Sequence, residues 1–200
     1  MRAKQSTAPI NDPLGLKDIL APNLRVVFCG INPGLKAAMM GYHFAGRGNR
    51  FWKTIYLAGF TCEEIAPANG ELILSYRCGL TTAVSRATTR ADELSRDEFE
   101  RAASSLSAKI AQYSPTYVAF LGKPAFSAIF NRKLVSWGKQ DVLLGGSKTW
   151  VLPNPSGLNR SFRLDQLVQA YSGLREELDR VSDLSCDAQP QLRPVAEEAT

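Results

Sequence analysis

Two short stretches of the 200-residue chain set asparagine, proline and glycine at the end of an apolar run: GINPGL at residues 30–35 and NPSGLNR at residues 154–160. Glycine lets a backbone approach a ligand closely, proline stiffens the turn, and an asparagine amide can hold a water or a polar substrate atom in place. An amide cannot take a proton from that water as a general base does, so the chemistry open to Asn32 and Asn154 is orientation. The first loop is no dinucleotide cradle: it lacks the G-x-G-x-x-G spacing, and Pro33 removes an N–H that a phosphate would use. Neither loop carries a lysine, which excludes a Schiff-base step there. The alternative is that both are plain turns.

Between these loops, MMGYHFAGRGNRFW places Tyr42, His43 and Phe44 among Gly41, Gly46 and Gly48, with Arg47 and Arg50 close by. Aromatic rings beside arginines on a glycine-rich loop suit a base-stacking pocket next to phosphates. The competing reading is a loop folded over the core with Phe44 as its plug. His43 is the single histidine, so catalysis by a histidine pair and a multi-histidine metal site are excluded. Cys29, Cys62, Cys78 and Cys186 form no CxxC pair, which speaks against a zinc site or a disulfide framework. One carboxylate, Asp92 in SRATTRADELS, follows a short strand-like run. It reads either as a solvated residue shortly before a helix capped by Ser95 or as a supplementary base.

These groups need a frame to hold them. LRVVFCG, TYVAFLG and TWVLPNP read as buried strands, with CGLT as a shorter one. Helices are expected over NRFWKTIYLAGF, ending near Gly59, and from the Ser95/Glu98 capping box to about Tyr113. Further helices are expected over KPAFSAIF, with Pro124 in its first turn, and over RLDQLVQAYSGLREELDRV, interrupted at Gly173. Strands alternating with helices predict an α/β fold, a three-layer sandwich with a mostly parallel central sheet of about four strands. Ligands of such sheets bind beyond the carboxyl ends of the strands, where both asparagine loops fall.

The composition, 44% hydrophobic and 22% charged, suits a soluble globular protein. Residues 1–17 read as a flexible leader, 18–180 as a single domain and 181–200 as a disordered polar tail. No apolar run is long enough to span a membrane and no signal-peptide core is present, so a cytoplasmic monomer is expected. The formal charge is +5. In the tail, Asp183, Asp187, Glu197 and Glu198 against Arg193 make −3, which leaves +8 on residues 1–180. That surplus favours a polyanionic partner with salt-sensitive binding.

Taken together, GINPGL, GYHFAGRGNRFWKTIYLAGF, YRCGLT, WGKQ and WVLPNPSGLNR resemble the mismatch-specific uracil-DNA glycosylases, relatives of the thymine-DNA glycosylases within the uracil-DNA glycosylase superfamily. The resemblance runs from about Asp18 to Glu177 with the segments in the family's order. It implies a DNA repair glycosylase that hydrolyses the N-glycosidic bond of uracil mispaired with guanine in duplex DNA, with no metal or organic cofactor. In that pattern Asn32 positions the attacking water, and the backbone of Gly30 and Ile31 shapes the base pocket. Phe44 stacks on the flipped uracil, Leu158 wedges into the duplex, Gly157 and Asn159 contact the orphaned guanine, and Arg160 supports the wedge. The most active uracil glycosylases are expected to carry aspartate and histidine where this chain has Asn32 and Asn154, which implies slow turnover. The resemblance gives Asp92 no role. A non-catalytic binder of mismatched or damaged DNA is the alternative.

Overall fold

The computed structural model describes residues 15–187, so most of the expected leader and residues 188–200 of the expected tail lie outside the described residues. Five strands form one sheet: β1 Val26–Gly30, β2 Cys78–Thr82, β3 Tyr117–Leu121, β4 Gly138–Leu144 and β5 Ser147–Leu152, in the order β2-β1-β3-β5-β4. The first three and β5 run parallel, whereas β4 pairs antiparallel to β5. The sandwich architecture is as expected, and the sheet has one strand more than expected. Strand β4 escapes notice because GKQDVLL alternates exposed and half-buried residues instead of presenting an apolar run. It is an edge strand, turned back by Gly145 and Gly146, whose φ values of 54° and 88° suit a two-residue hairpin turn.

Helices α2 (Phe51–Leu57) and α5 (Leu164–Asp187) cover one face, and α3 (Arg96–Tyr113) and α4 (Lys123–Ile129) cover the other. Every residue of β1 is buried. Successive side chains alternate across a strand, so Val26 and Phe28 join the cluster of Phe51, Ile55, Tyr171 and Leu174, while Val27 and Cys29 join Phe99, Leu106, Ile110 and Phe126. Phe28 meets Phe51 and Phe60 edge to face, at centroid separations of 5.4 and 5.2 Å. This double burial explains why β1 reads as continuous apolar text.

Two helices differ from expectation. A short α1, Leu35–Met40, follows the first asparagine loop with no apolar periodicity to announce it. Helix α5 continues through Gly173 and on to Asp187, because Leu167, Tyr171, Leu174 and Leu178 bury one unbroken stripe against the sheet. A single glycine costs a helix only about 1 kcal/mol, which packing along such a stripe offsets. The parallel strands all deliver their carboxyl ends to the same edge of the sheet. There Gly30, Thr82, Leu121 and Leu152 hand over to the loops that carry the candidate chemistry.

Candidate functional site

Beyond β1 the pairing with its neighbour continues: Ala83 N–H donates to the Gly30 carbonyl at 2.8 Å and Val84 N–H to the Ile31 carbonyl at 3.0 Å. Those two carbonyls are therefore occupied, and Gly30 and Ile31 shape the site by their surfaces. Ile31 is buried, and Gly30 lies under the Phe44 ring, where an added Cβ would sit 3.7 Å from the ring edge. Asn32 comes next. Its Nδ2 donates to the Arg86 carbonyl at 2.8 Å and to Thr88 Oγ1 at 2.7 Å. A carbonyl can only accept, so the nitrogen end of the amide must face it. The Oδ1 of Asn32 has no partner among the described residues and is offered as an acceptor.

Asn154 is held the other way round. Its Oδ1 accepts from Ser156 N–H at 2.9 Å, an Asx turn, and its Nδ2 has no partner among the described residues. The two asparagines present opposite halves of the amide: Asn32 an acceptor, Asn154 a pair of donors. Asn154 also abuts Gly122 at the end of β3, as does Ile31.

The loop from Pro153 to Arg163 is braced from outside itself. Arg50, half-buried just before α2, donates through Nη1 to the Phe162 carbonyl at 2.6 Å and through Nη2 to Ser156 and Asn159 carbonyls at 3.0 and 2.9 Å. Its Nε reaches the Pro155 carbonyl at 3.3 Å, and its own backbone N–H reaches the same oxygen at 3.0 Å. A guanidinium so engaged is a loop clamp, and it corrects the expectation that Arg50 serves phosphates; Arg47 and Arg160 are exposed. Gly157 touches Gly48 so closely that a Cβ on Gly157 would lie 2.7 Å from the Gly48 carbonyl oxygen. At the apex Leu158 is 73% exposed, an apolar side chain held out on a rigid turn.

Asn159 corrects another expectation. Its N–H donates to the Ser156 carbonyl at 3.0 Å, its carbonyl accepts from Arg50, its Nδ2 donates to the Asn154 carbonyl at 2.8 Å and its Oδ1 accepts from Ser161 N–H at 3.1 Å. Asn159 thus braces the loop from within, and Gly157 is the neighbour whose backbone polar groups lack partners among the described residues.

Phe44 is half-buried. The ring stacks on Phe51 at a centroid distance of 4.0 Å, which fixes it, and it stops short of full burial beside Gly30. Its φ of 57° is unusual for a bulky residue, as functional positions often are. The turn is pinned on both sides, since His43 is 4% exposed with Nε2 3.0 Å from the Lys17 carbonyl, and Trp52 Nε1 donates to the His43 carbonyl. Burial pushes the His43 pKa down, so the imidazole is a neutral strut rather than a catalytic acid.

Among the described residues Asp92 makes no hydrogen bond to Asn32, and its carboxylate is taken by Arg90 instead. Asp92 sits in a single 3₁₀ turn, Ala91–Glu93, where Arg90 grips its carboxylate (Nη2–Oδ2 2.7 Å) with both side chains about two-thirds exposed. The hydrogen bond from Arg90 holds its pKa below the ordinary range, which makes it a weaker base. The same segment contributes what the residue types did not announce. Thr88 and the Arg86 carbonyl seat Asn32, and Arg86 is tied by its guanidinium to Glu98 at 2.6 Å, in the first turn of α3. Nothing in ATTR marks Thr88 in advance, because its partner is 56 residues away.

The arrangement can seat a planar group on Phe44, offer it donors from Asn154, hold a water against Asn32 Oδ1, and push Leu158 into whatever the group came from. A family model described as the uracil DNA glycosylase superfamily matches residues 17–175. Among solved structures, the solution NMR structure of a protein from Methanosarcina acetivorans, described provisionally as a uracil DNA glycosylase, aligns with a TM-score of 0.59. At 20% identity it covers 82% of this chain and 97% of that one, a likeness of fold.

Proposed function

Because this chain belongs to the uracil DNA glycosylase superfamily, we propose that it is a monofunctional DNA repair glycosylase that releases uracil mispaired with guanine from duplex DNA. The observation that carries this reading is Leu158, an apolar side chain 73% exposed on a loop that Arg50 clamps and whose Gly157 packs against Gly48, on the segment that also carries Phe44. A stacked nucleotide hides its glycosidic bond, so the enzyme must extrude it and fill the gap, and a leucine wedge does that. A G·U pair opens at lower cost than a Watson–Crick pair, which favours a mismatched substrate.

The extruded uracil stacks on Phe44, and its carbonyl oxygens take the donors of Asn154 Nδ2. Asn32 Oδ1 accepts one hydrogen of a water and aims its lone pair at the sugar C1′. As the C1′–N1 bond breaks, the departing base takes the bonding electrons, the water oxygen bonds to C1′, and its proton passes to solvent or to the uracil anion. No carboxylate among the described residues is hydrogen-bonded to Asn32, so the step relies on orientation and on the leaving base, and turnover is slow. Gly157 backbone groups meet the widowed guanine, and Arg47 and Arg160 the phosphates.

The test is a base-release panel on duplexes carrying uracil, thymine or etheno-cytosine opposite guanine or adenine, with single-stranded controls, read by alkaline cleavage of abasic sites. Release that is greatest from G·U duplex is the expected result. Binding to the G·U duplex without any release would instead favour a non-catalytic binder of mismatched DNA. Asp92→Asn changes the single-turnover rate by less than about twofold if its carboxylate serves only Arg90. A larger loss with a flattened acidic limb of the pH profile would reinstate Asp92 as a base.

A further inference from the structure

The seating of Asn32 depends on two acceptors, and one of them is a hydroxyl whose direction has to be fixed. Its Nδ2 carries two hydrogens, and both must be accepted if the amide is not to rotate. The Arg86 carbonyl takes one at 2.8 Å and Thr88 Oγ1 the other at 2.7 Å. A threonine hydroxyl can accept or donate, so it could in principle face the amide either way round. Here it cannot, since Thr88 Oγ1 lies 2.8 Å from the Arg90 carbonyl, which has no proton to give. The single hydroxyl hydrogen goes to Arg90, and the lone pairs are left for Asn32. The direction of the chain Asn32 N–H to Thr88 O–H to Arg90 carbonyl is thus fixed at both ends by carbonyl oxygens. Thr88 is also 2% exposed, so water does not readily take its place. Its backbone ties down the same turn, with Thr88 N–H donating to the Pro33 carbonyl at 3.1 Å and Leu35 N–H to the Thr88 carbonyl at 3.0 Å.

We propose that Thr88 is a positioning residue for base release: its one-way hydroxyl, together with the Arg86 carbonyl, holds the Asn32 amide so that Oδ1, and never Nδ2, faces the reacting water. A rotated amide would set Oδ1 against the Arg86 carbonyl and turn N–H donors toward the water, which would point the water's hydrogens rather than its lone pair at C1′. The proposal rests on the reading of Asn32 given above, and its test separates the two.

Thr88→Val keeps the shape and removes the hydroxyl, and Thr88→Ser keeps the hydroxyl. In the full-length protein, ¹⁵N–¹H spectra report the Asn32 side-chain amide directly, assigned by its loss in Asn32→Ala. The Val variant is expected to shift the Asn32 amide pair and speed its hydrogen exchange, and to slow single-turnover release from a G·U duplex about tenfold, the effect of one well-placed hydrogen bond. Duplex affinity stays within about twofold. The Ser variant is expected to restore both the spectrum and the rate, which a role in filling space alone would not produce. In an Asn32→Ala background the Val change adds no further loss of rate. Unchanged Asn32 amide signals in Thr88→Val overturn the positioning role itself. Shifted signals with an unchanged release rate overturn the reading of Asn32 on which it stands. Should the Val variant fail to fold, the Ser variant with wild-type stability but a tenfold slower release would overturn the proposal as well.

Discussion

The two asparagine loops are built from the same three residue types and held by different means. The first, around Asn32, is continuous with the sheet: Ala83 and Val84 extend the β1–β2 pairing past the strands, and the Asn32 side chain is tied into the segment after β2. The second, from Pro153 to Arg163, leaves the sheet and is bonded within itself, to Arg50 through guanidinium and backbone, and at its start to the Tyr171 hydroxyl. One loop inherits its precision from the sheet, and the other owes it to Arg50. A group that orients a water needs the first arrangement, whereas a side chain that enters a duplex must project beyond the protein, which the second permits.

The contrast breaks hardest at Asn32. Asn32→Ala removes the acceptor without disturbing the second loop. Single-turnover release is expected to fall by roughly 10²–10³ while duplex affinity holds, as for loss of one preorganised polar group. Equal loss of affinity would mean that both loops act in binding alone. Next comes Arg50→Met, which keeps bulk and removes the clamp. Five carbonyl contacts depend on this residue, four of them from its side chain. Loss of roughly 2–4 kcal/mol of stability is expected from urea unfolding, with duplex activity falling more than single-stranded activity.

Leu158→Ala sharpens the same division at lower cost. Its side chain is exposed, so stability should change by less than about 0.5 kcal/mol. Release from duplex should drop several-fold, and release from single-stranded uracil should not. Equal loss on both substrates would identify Leu158 as a contact to the base rather than a wedge.

The smallest effect is predicted at Glu98→Gln. Hydrogen bonds from Arg86 and the Ser95 backbone hold the Glu98 carboxyl down at about 2, against an ordinary 4.5. A depressed carboxyl contributes stability above its unfolded value and loses it as pH falls through the folded one. The advantage of the wild type over Glu98→Gln in thermal midpoint should therefore be full at pH 7 and shrink between pH 4.5 and 2. Since Arg86 presents the carbonyl that seats Asn32, acid should loosen the first loop and leave the Arg50 clamp, which contains no carboxylate, intact.

The frame was far more legible in the sequence than the bracing. Strands β1 and β3 are buried at every position, and that burial writes itself as Val, Phe, Leu and Ala in unbroken runs, while β5 is apolar and half-buried or buried only from Trp150 to Leu152. The capping box of Ser95 and Glu98 and the left-handed Gly59 are likewise local events with local signatures. Strand β4 is a one-sided edge, and only the Gly145–Gly146 pair between Leu144 and Ser147 hinted at its hairpin. The two asparagines stood out by type and position. Their partners did not: Arg50 gives its hydrogens to backbone carbonyls, which every residue has, and Thr88 and Arg86 meet Asn32 across 56 and 54 residues. For Arg50 the types even misled, because an arginine beside glycines and aromatics suits phosphate equally well.

The clamp has a consequence for how the chain reaches its native state. Arg50 and the carbonyls it holds are separated by 105 to 112 residues, so their contact closes most of the domain into one loop. Contacts of such long range lose more chain entropy on closure and tend to wait for the elements between them. The Arg50 helix and β5 must both be docked before the second loop has anything to bond to, while the first loop needs only β1 and β2, neighbours in the sheet. In a refolding experiment, Trp52 and the other core rings should report recovery before the ability to act on duplex DNA returns. During that interval the population would be folded by every spectroscopic measure and still lack a working wedge.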